Sequence, residues 1–144
     1  MAGGKSTIKT KLMKNTILCA IFCFVLPFHG CNENKSSIAK VISAQEVYDA
    51  VYSGDGNHQL IDVRSEEDFG VSHLKNAQNI CVTKDDFKER VKDLDKNKPV
   101  YVYCKAGGRS AQAAKILTDM GFVKVYDLQG GLTNWKEKGL ELAN

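Results

Sequence analysis

From Ile17 to Leu26 the chain runs through ten apolar residues without a break, "ILCAIFCFVL", and from Cys31 to Lys40, "CNENKSSIAK", it shows no apolar period. Past residue 42 the pattern changes to short apolar runs alternating with amphipathic stretches. "SAQE", Ser43 to Glu46, is a capping-box sequence and predicts a helix through Tyr52, which "SGDGN" then breaks. "QLIDV", Gln59 to Val63, is a short apolar run suited to a buried strand. "SEED", Ser65 to Asp68, predicts a second short helix with acids in its first turn, where the helix dipole favours them. "AQNICV" predicts a strand, and "TKDDFKERVKDL" from Thr83 an amphipathic helix with Phe87, Val91 and Leu94 on one side. After Pro99, "VYVYC" is β-branched and aromatic, hence a strand. From Ser110 the spacing of Ala113, Ile116, Leu117 and Met120 predicts a helix that Gly121 ends. "VKVYDL" is a further strand, and "GGLTNWKEKG" turns into a last short helix carrying Trp135 in the core. Strands alternating with helices predict an α/β domain whose parallel sheet is covered on both faces.

The apolar run before this domain is too short to span a bilayer, which takes roughly 20 residues. Preceded by Lys5, Lys9, Lys11 and Lys14 and followed by "PFHGC", it fits an export signal over residues 1–30, with Met13 a second candidate start. "FHGC" resembles the lipobox of bacterial lipoproteins, with Gly30 before the cysteine and Phe28 in place of the usual leucine. That resemblance implies lipidation of Cys31, a flexible tether over residues 31–41 and a domain over residues 42–144 anchored to a membrane facing the periplasm or cell surface.

Charge changes the picture little. With the four leader lysines set apart, the 20 basic side chains fall to 16 against 17 acidic ones, so the domain offers no positive surface for nucleic acid. Of five cysteines, Cys19 and Cys23 go with the leader and Cys31 would carry lipid, leaving Cys81 and Cys104 in the domain. That is neither a disulfide framework nor zinc-ligand spacing, and His58 and His73 stand alone, so neither metal nor cofactor is expected.

Chemistry concentrates in "CKAGGRS", Cys104 to Ser110. In open parallel sheets the carboxyl ends of the strands face the binding crevice, and Cys104 ends a strand directly before a helix. Gly107 and Gly108 let the backbone curl so that several N–H groups point at one spot above the positive helix end, and Arg109 adds a planar fork of donors. Such surroundings lower a thiol pKa from about 8.5 into the range of roughly 3.5 to 7.5, which makes a nucleophile. The reading requires that the sulfur be reachable from solvent.

The loop resembles the active-site loop of rhodanese-like sulfurtransferases, with Cys104, Gly107 and Arg109 on the pattern's fixed positions. Asp62, Arg64, His73, Ala77 and Asn79 match a first motif, with Ser72 where glycine is usual, and Gly130, Gly131 and Trp135 match a closing one. The resemblance implies a rhodanese-like fold, a mostly parallel sheet of five strands with helices on both faces. It also implies sulfur transfer from thiosulfate or a similar donor to a thiol or cyanide, through a persulfide on Cys104. The loop residues Lys105, Ala106, Gly107, Gly108, Arg109 and Ser110 would bind substrate. Asp62, Arg64 and His73 read as structural support, and Cys81 as a packing residue separated from Cys104 by an intervening strand. Two other classes stay open: a non-catalytic or partner-specific persulfide-carrying module, and a cysteine-dependent phosphatase. The latter uses five residues between cysteine and arginine, against the four here.

Overall fold

Capping and turn chemistry set most of the element boundaries in the computed structural model, which describes residues 39–143 together with Met1. All of the expected export signal but Met1 lies outside the described residues, as do Met13, Cys31 and the expected tether up to residue 38. In chain order the elements are β1 (Ala39–Ile42), α1 (Ala44–Tyr52), β2 (Gln59–Asp62), α2 (Glu66–Val71), β3 (Gln78–Asn79), α3 (Phe87–Arg90), a 3-10 turn (Val91–Asp93), β4 (Val100–Tyr103), α4 (Gly108–Asp119), β5 (Val125–Leu128) and α5 (Gly131–Glu137). Ser43 closes the capping box of α1, accepting from the N–H of Glu46 while the Glu46 carboxylate accepts from the Ser43 N–H at 2.8 Å. Ser65 caps α2 the same way through the N–H of Asp68.

The five strands form one sheet in the order β1-β5-β4-β2-β3, every pair parallel. This is the rhodanese-like α/β architecture that the resemblance implies. The strand β4 sits in the middle, and its alternation builds both layers. Val100 and Val102 join Phe87, Val91, Ala113, Ala114 and Leu117 under α3 and α4. Tyr101 and Tyr103 face the other way, with Val47, Val51, Leu132 and Trp135 beneath α1 and α5. Each fully buried side chain of this size contributes about 1.5–3 kcal/mol. The pleat carries Cys104 on to the valine side, toward α4.

Three elements differ from the sequence reading. The strand β1 begins at Ala39, so residues 39–41 are ladder, not tether. Lys40 and Val41 point to solvent on this edge strand, which hid its apolar period. The strand β3 covers only two residues of "AQNICV"; beyond it the Ile80 and Val82 N–H groups still donate to the Asp62 and Val63 carbonyls, and the Asn79 amide adds bonds to the carbonyls of Asp62 and Arg64. The helix expected from Thr83 starts at Phe87. The preceding residues are held in turns, the N–H of Lys84 on the Cys81 carbonyl and that of Phe87 on the Lys84 carbonyl, and Asp86 makes no side-chain cap.

Candidate active site

Cys104 follows the last residue of β4, and α4 starts four residues later, so the chain must reverse within Lys105 to Gly107. Gly107 makes this possible with φ +106°, a left-handed conformation that a side chain would strain. Gly108 does not share that role: it is already the first residue of α4 and its φ is not positive.

The reversal turns backbone donors inward. The N–H of Gly107 reaches the Cys104 Sγ at 3.1 Å, and the buried Ser110 hydroxyl lies 3.5 Å from it. The N–H groups of Ala106 and Ser110 act on the same sulfur. Burial is the largest single influence on this thiol and pushes its pKa up. The Ser110 hydroxyl and the three N–H groups together outweigh burial, and the Cys104 pKa falls below its ordinary value. The arrangement favours the sulfur anion more than the surroundings of an ordinary cysteine do. Cys104 is nonetheless only 2 % exposed, a buried residue where the sequence reading requires a sulfur reachable from solvent.

The carbonyl side of the loop is gripped from α5. The Leu132 and Thr133 N–H groups donate to the Cys104 and Lys105 carbonyls at 2.8 and 3.0 Å, and the Thr133 hydroxyl adds a bond to Lys105 at 2.9 Å. Gly131 makes the approach possible, since a Cβ there would stand 2.4 Å from the Cys104 oxygen. Beside the loop opens a cleft of about 440 Å³ lined by Arg64, Asp68, Ser72, Lys105, Thr133 and Lys136, among others.

The other candidate residues fall into separate roles. Ala106 and Lys105 are exposed, Lys105 on the cleft wall. Arg109 does not reach into the loop: its guanidinium turns to Asp68 of α2 at 3.3 Å. Asp62 and Arg64 form a buried pair, the Arg64 Nη2 2.6 Å from Oδ2 and its Nε 2.9 Å from Oδ1, and Nη2 also donates to the Ser72 carbonyl. His73 Nδ1 lies 3.1 Å from the Phe69 carbonyl and the ring stacks on Phe69. Trp135 is fully buried and donates to the Glu141 carbonyl. Cys81 is buried beyond β3, its sulfur 3.2 Å from the Thr83 hydroxyl, and β2 separates its strand from β4. Cys31 lies outside the described residues. Among the described residues no cluster of metal-ligating side chains occurs. Gly131, Thr133 and the buried Asp127 of β5 were not singled out from the sequence as parts of the site. A carboxylate inside a buried strand was the one available signal for Asp127.

Residues 43–138 match the sequence profile of the rhodanese-like domain. The chain belongs to that family. This rhodanese-like protein is 32 % identical to the uncharacterized protein YqhL of Bacillus subtilis over 127 residues, 88 % of this chain and 96 % of that one. It is 36 % identical over 97 residues to the thiosulfate sulfurtransferase GlpE of Coxiella burnetii, covering 67 % of this chain and 87 % of the relative. A crystal structure of a rhodanese-related protein from Thermoplasma volcanium, 28 % identical, covers 72 % of this chain and 97 % of that one with a TM-score of 0.63. Sulfurtransferases are thus among the relatives of this rhodanese-like chain.

Proposed function

We propose that this protein is a sulfurtransferase of the thiosulfate type that works through a persulfide on Cys104. The observation that carries the reading is the convergence of the Ser110 hydroxyl and the loop N–H groups on one sulfur. The Cys104 thiolate attacks the outer sulfur of thiosulfate. A sulfur–sulfur bond forms to Cys104, the bond inside thiosulfate breaks, and sulfite leaves with the electron pair. A thiol or cyanide then attacks the outer sulfur, and Cys104 departs as the thiolate, so ping-pong kinetics follow. The donors that hold the first anion also stabilise the leaving one, in the manner of an oxyanion hole. The slight exposure of Cys104 favours a small donor.

A phosphatase is disfavoured by Arg109, which four residues separate from Cys104 and which pairs with Asp68. The Cys31 sequence supports a lipid-anchored protein with its domain outside the cytoplasm, the membrane being its second partner.

The test is direct. The protein should release sulfite from thiosulfate and gain one sulfur atom in intact-mass measurements, and Cys104→Ser should do neither. Equal turnover by both proteins would remove Cys104 from the role of nucleophile.

A further inference from the structure

Beneath the loop lies an acid that the reaction above does not use. Asp127 of β5 stands in register with Val102 of β4, and Cys104 is two residues further on the same face of the sheet. The residue is 5 % exposed, and no donor reaches its Oδ1. Ser110, fully buried in the first turn of α4, is the side chain whose hydroxyl acts on this carboxyl.

That hydroxyl has one hydrogen and three claims on it. The Cys104 Sγ lies 3.5 Å away and the Gly107 carbonyl 3.0 Å away, and the Asp127 carboxyl is the third group that the hydroxyl acts on. An ionised Asp127 accepts only, so it draws the hydrogen away from the sulfur and places a second negative charge behind the thiolate. A protonated Asp127 can donate to the Ser110 Oγ, which then has its own hydrogen for the sulfur and the Gly107 carbonyl alone. We propose that Asp127 is a positioning residue held in its protonated form, which donates to Ser110 Oγ and so directs the Ser110 hydroxyl at the sulfur of Cys104.

The surroundings agree. Burial pushes the Asp127 pKa up, against a smaller opposite influence from Ser110. Among the charged and titratable groups on the elements packed against it, Arg109 of α4 is bound to Asp68, and Lys115 and Asp119 pair with each other on the exposed side of that helix. Lys40 of β1 and Tyr101 of β4 are in register with Tyr126, on the opposite face from Asp127. Cys104 is left as the titrating neighbour that shares the Ser110 hydroxyl. The inference deepens the sulfurtransferase reading and rests on Cys104 being its nucleophile.

The test measures the Cys104 pKa in the full-length protein, from the pH dependence of iodoacetamide labelling read by peptide mass spectrometry, which separates this thiol from the other four cysteines. Asp127→Asn keeps a donor toward Ser110 and should shift the pKa by less than about 0.3 unit. Asp127→Ala removes the donor and should raise it by about one unit. A fall of about a unit or more in the asparagine variant would mean that a carboxylate had been repelling the thiolate, and overturns the proposal. An unchanged value in the alanine variant overturns it too. Should the alanine variant not fold, carbon-13 NMR of the wild-type Asp127 carboxyl, assigned by its absence in Asp127→Asn, decides. The proposal requires no titration over the ordinary aspartate range, about pH 3 to 5, and a midpoint inside it overturns the proposal. Sulfite release enters neither readout, so this test stands or fails apart from the sulfurtransferase assay.

Discussion

The Leu132 N–H donates to the carbonyl oxygen of Cys104 at 2.8 Å, so the first turn of α5 grips the peptide that carries the sulfur. The same carbonyl, together with that of Lys105, closes around the bare Cα of Gly131, whose φ is +57°. Helix α4 thus faces the sulfur from the amide side of the loop, and α5 fixes the loop from its carbonyl side.

Gly131→Ala should therefore damage both stability and chemistry. A Cβ would meet the Cys104 oxygen at 2.4 Å and the Lys105 carbonyl carbon at 2.8 Å, backbone atoms that cannot move without shifting the loop. Strain at a left-handed position plus overpacking should cost about 2–4 kcal/mol in urea unfolding. Displaced donors should slow sulfur loading by about 10²-fold. Wild-type behaviour in both measurements would show that the grip is dispensable.

Asp62→Asn tests the support beside the site. The Arg64 guanidinium is buried and bonded to both Asp62 oxygens, at 2.6–3.0 Å. Removing the acid's charge leaves a cation in a water-poor site, which typically costs about 3–5 kcal/mol. Chemical denaturation should place the loss in that range. A loss near the level of an exposed pair, under about 1 kcal/mol, would mean that water reaches Arg64.

Ser110→Ala should separate binding of the anion from folding. The hydroxyl helps hold the Cys104 pKa below its ordinary value, so its loss raises that pKa, by about one unit. At neutral pH the thiolate fraction and the sulfur-loading rate then fall up to about tenfold, and raising the pH restores them. A uniform loss at every pH would contradict the assigned role.

For the tether, full-length protein made in a bacterium should partition into detergent, and Cys31→Ala should remain in the aqueous phase. If neither enters the detergent, Cys31 carries no lipid.

The buried strands β2, β4 and β5 were legible in the sequence because their apolar runs are short, β-branched and bounded by turn residues. The loop was legible because a strand-ending cysteine, glycines and an arginine crowd into six positions. What was hidden followed from tertiary contacts. Alternation fails in β1, where Lys40 and Val41 face solvent at the sheet edge. The period of Phe87, Val91 and Leu94 suggested a longer helix than forms, since the turns before Phe87 compete with helical bonding. The direction of Arg109 could not be foreseen, because its partner Asp68 is distant in sequence and approaches only across the folded sheet. Gly131 was visible as a motif letter, but its purpose is a contact with Cys104, 27 positions earlier.

The support of the loop is drawn from two distances along the sequence. Its amide cradle is local, but β5 beside it and the α5 turn that clamps it come more than twenty residues later among the described residues. A chain cut before Gly131 therefore keeps the groups that face the sulfur, Ala106, Gly107 and Ser110, but loses the two N–H groups that tie down the carbonyls behind it.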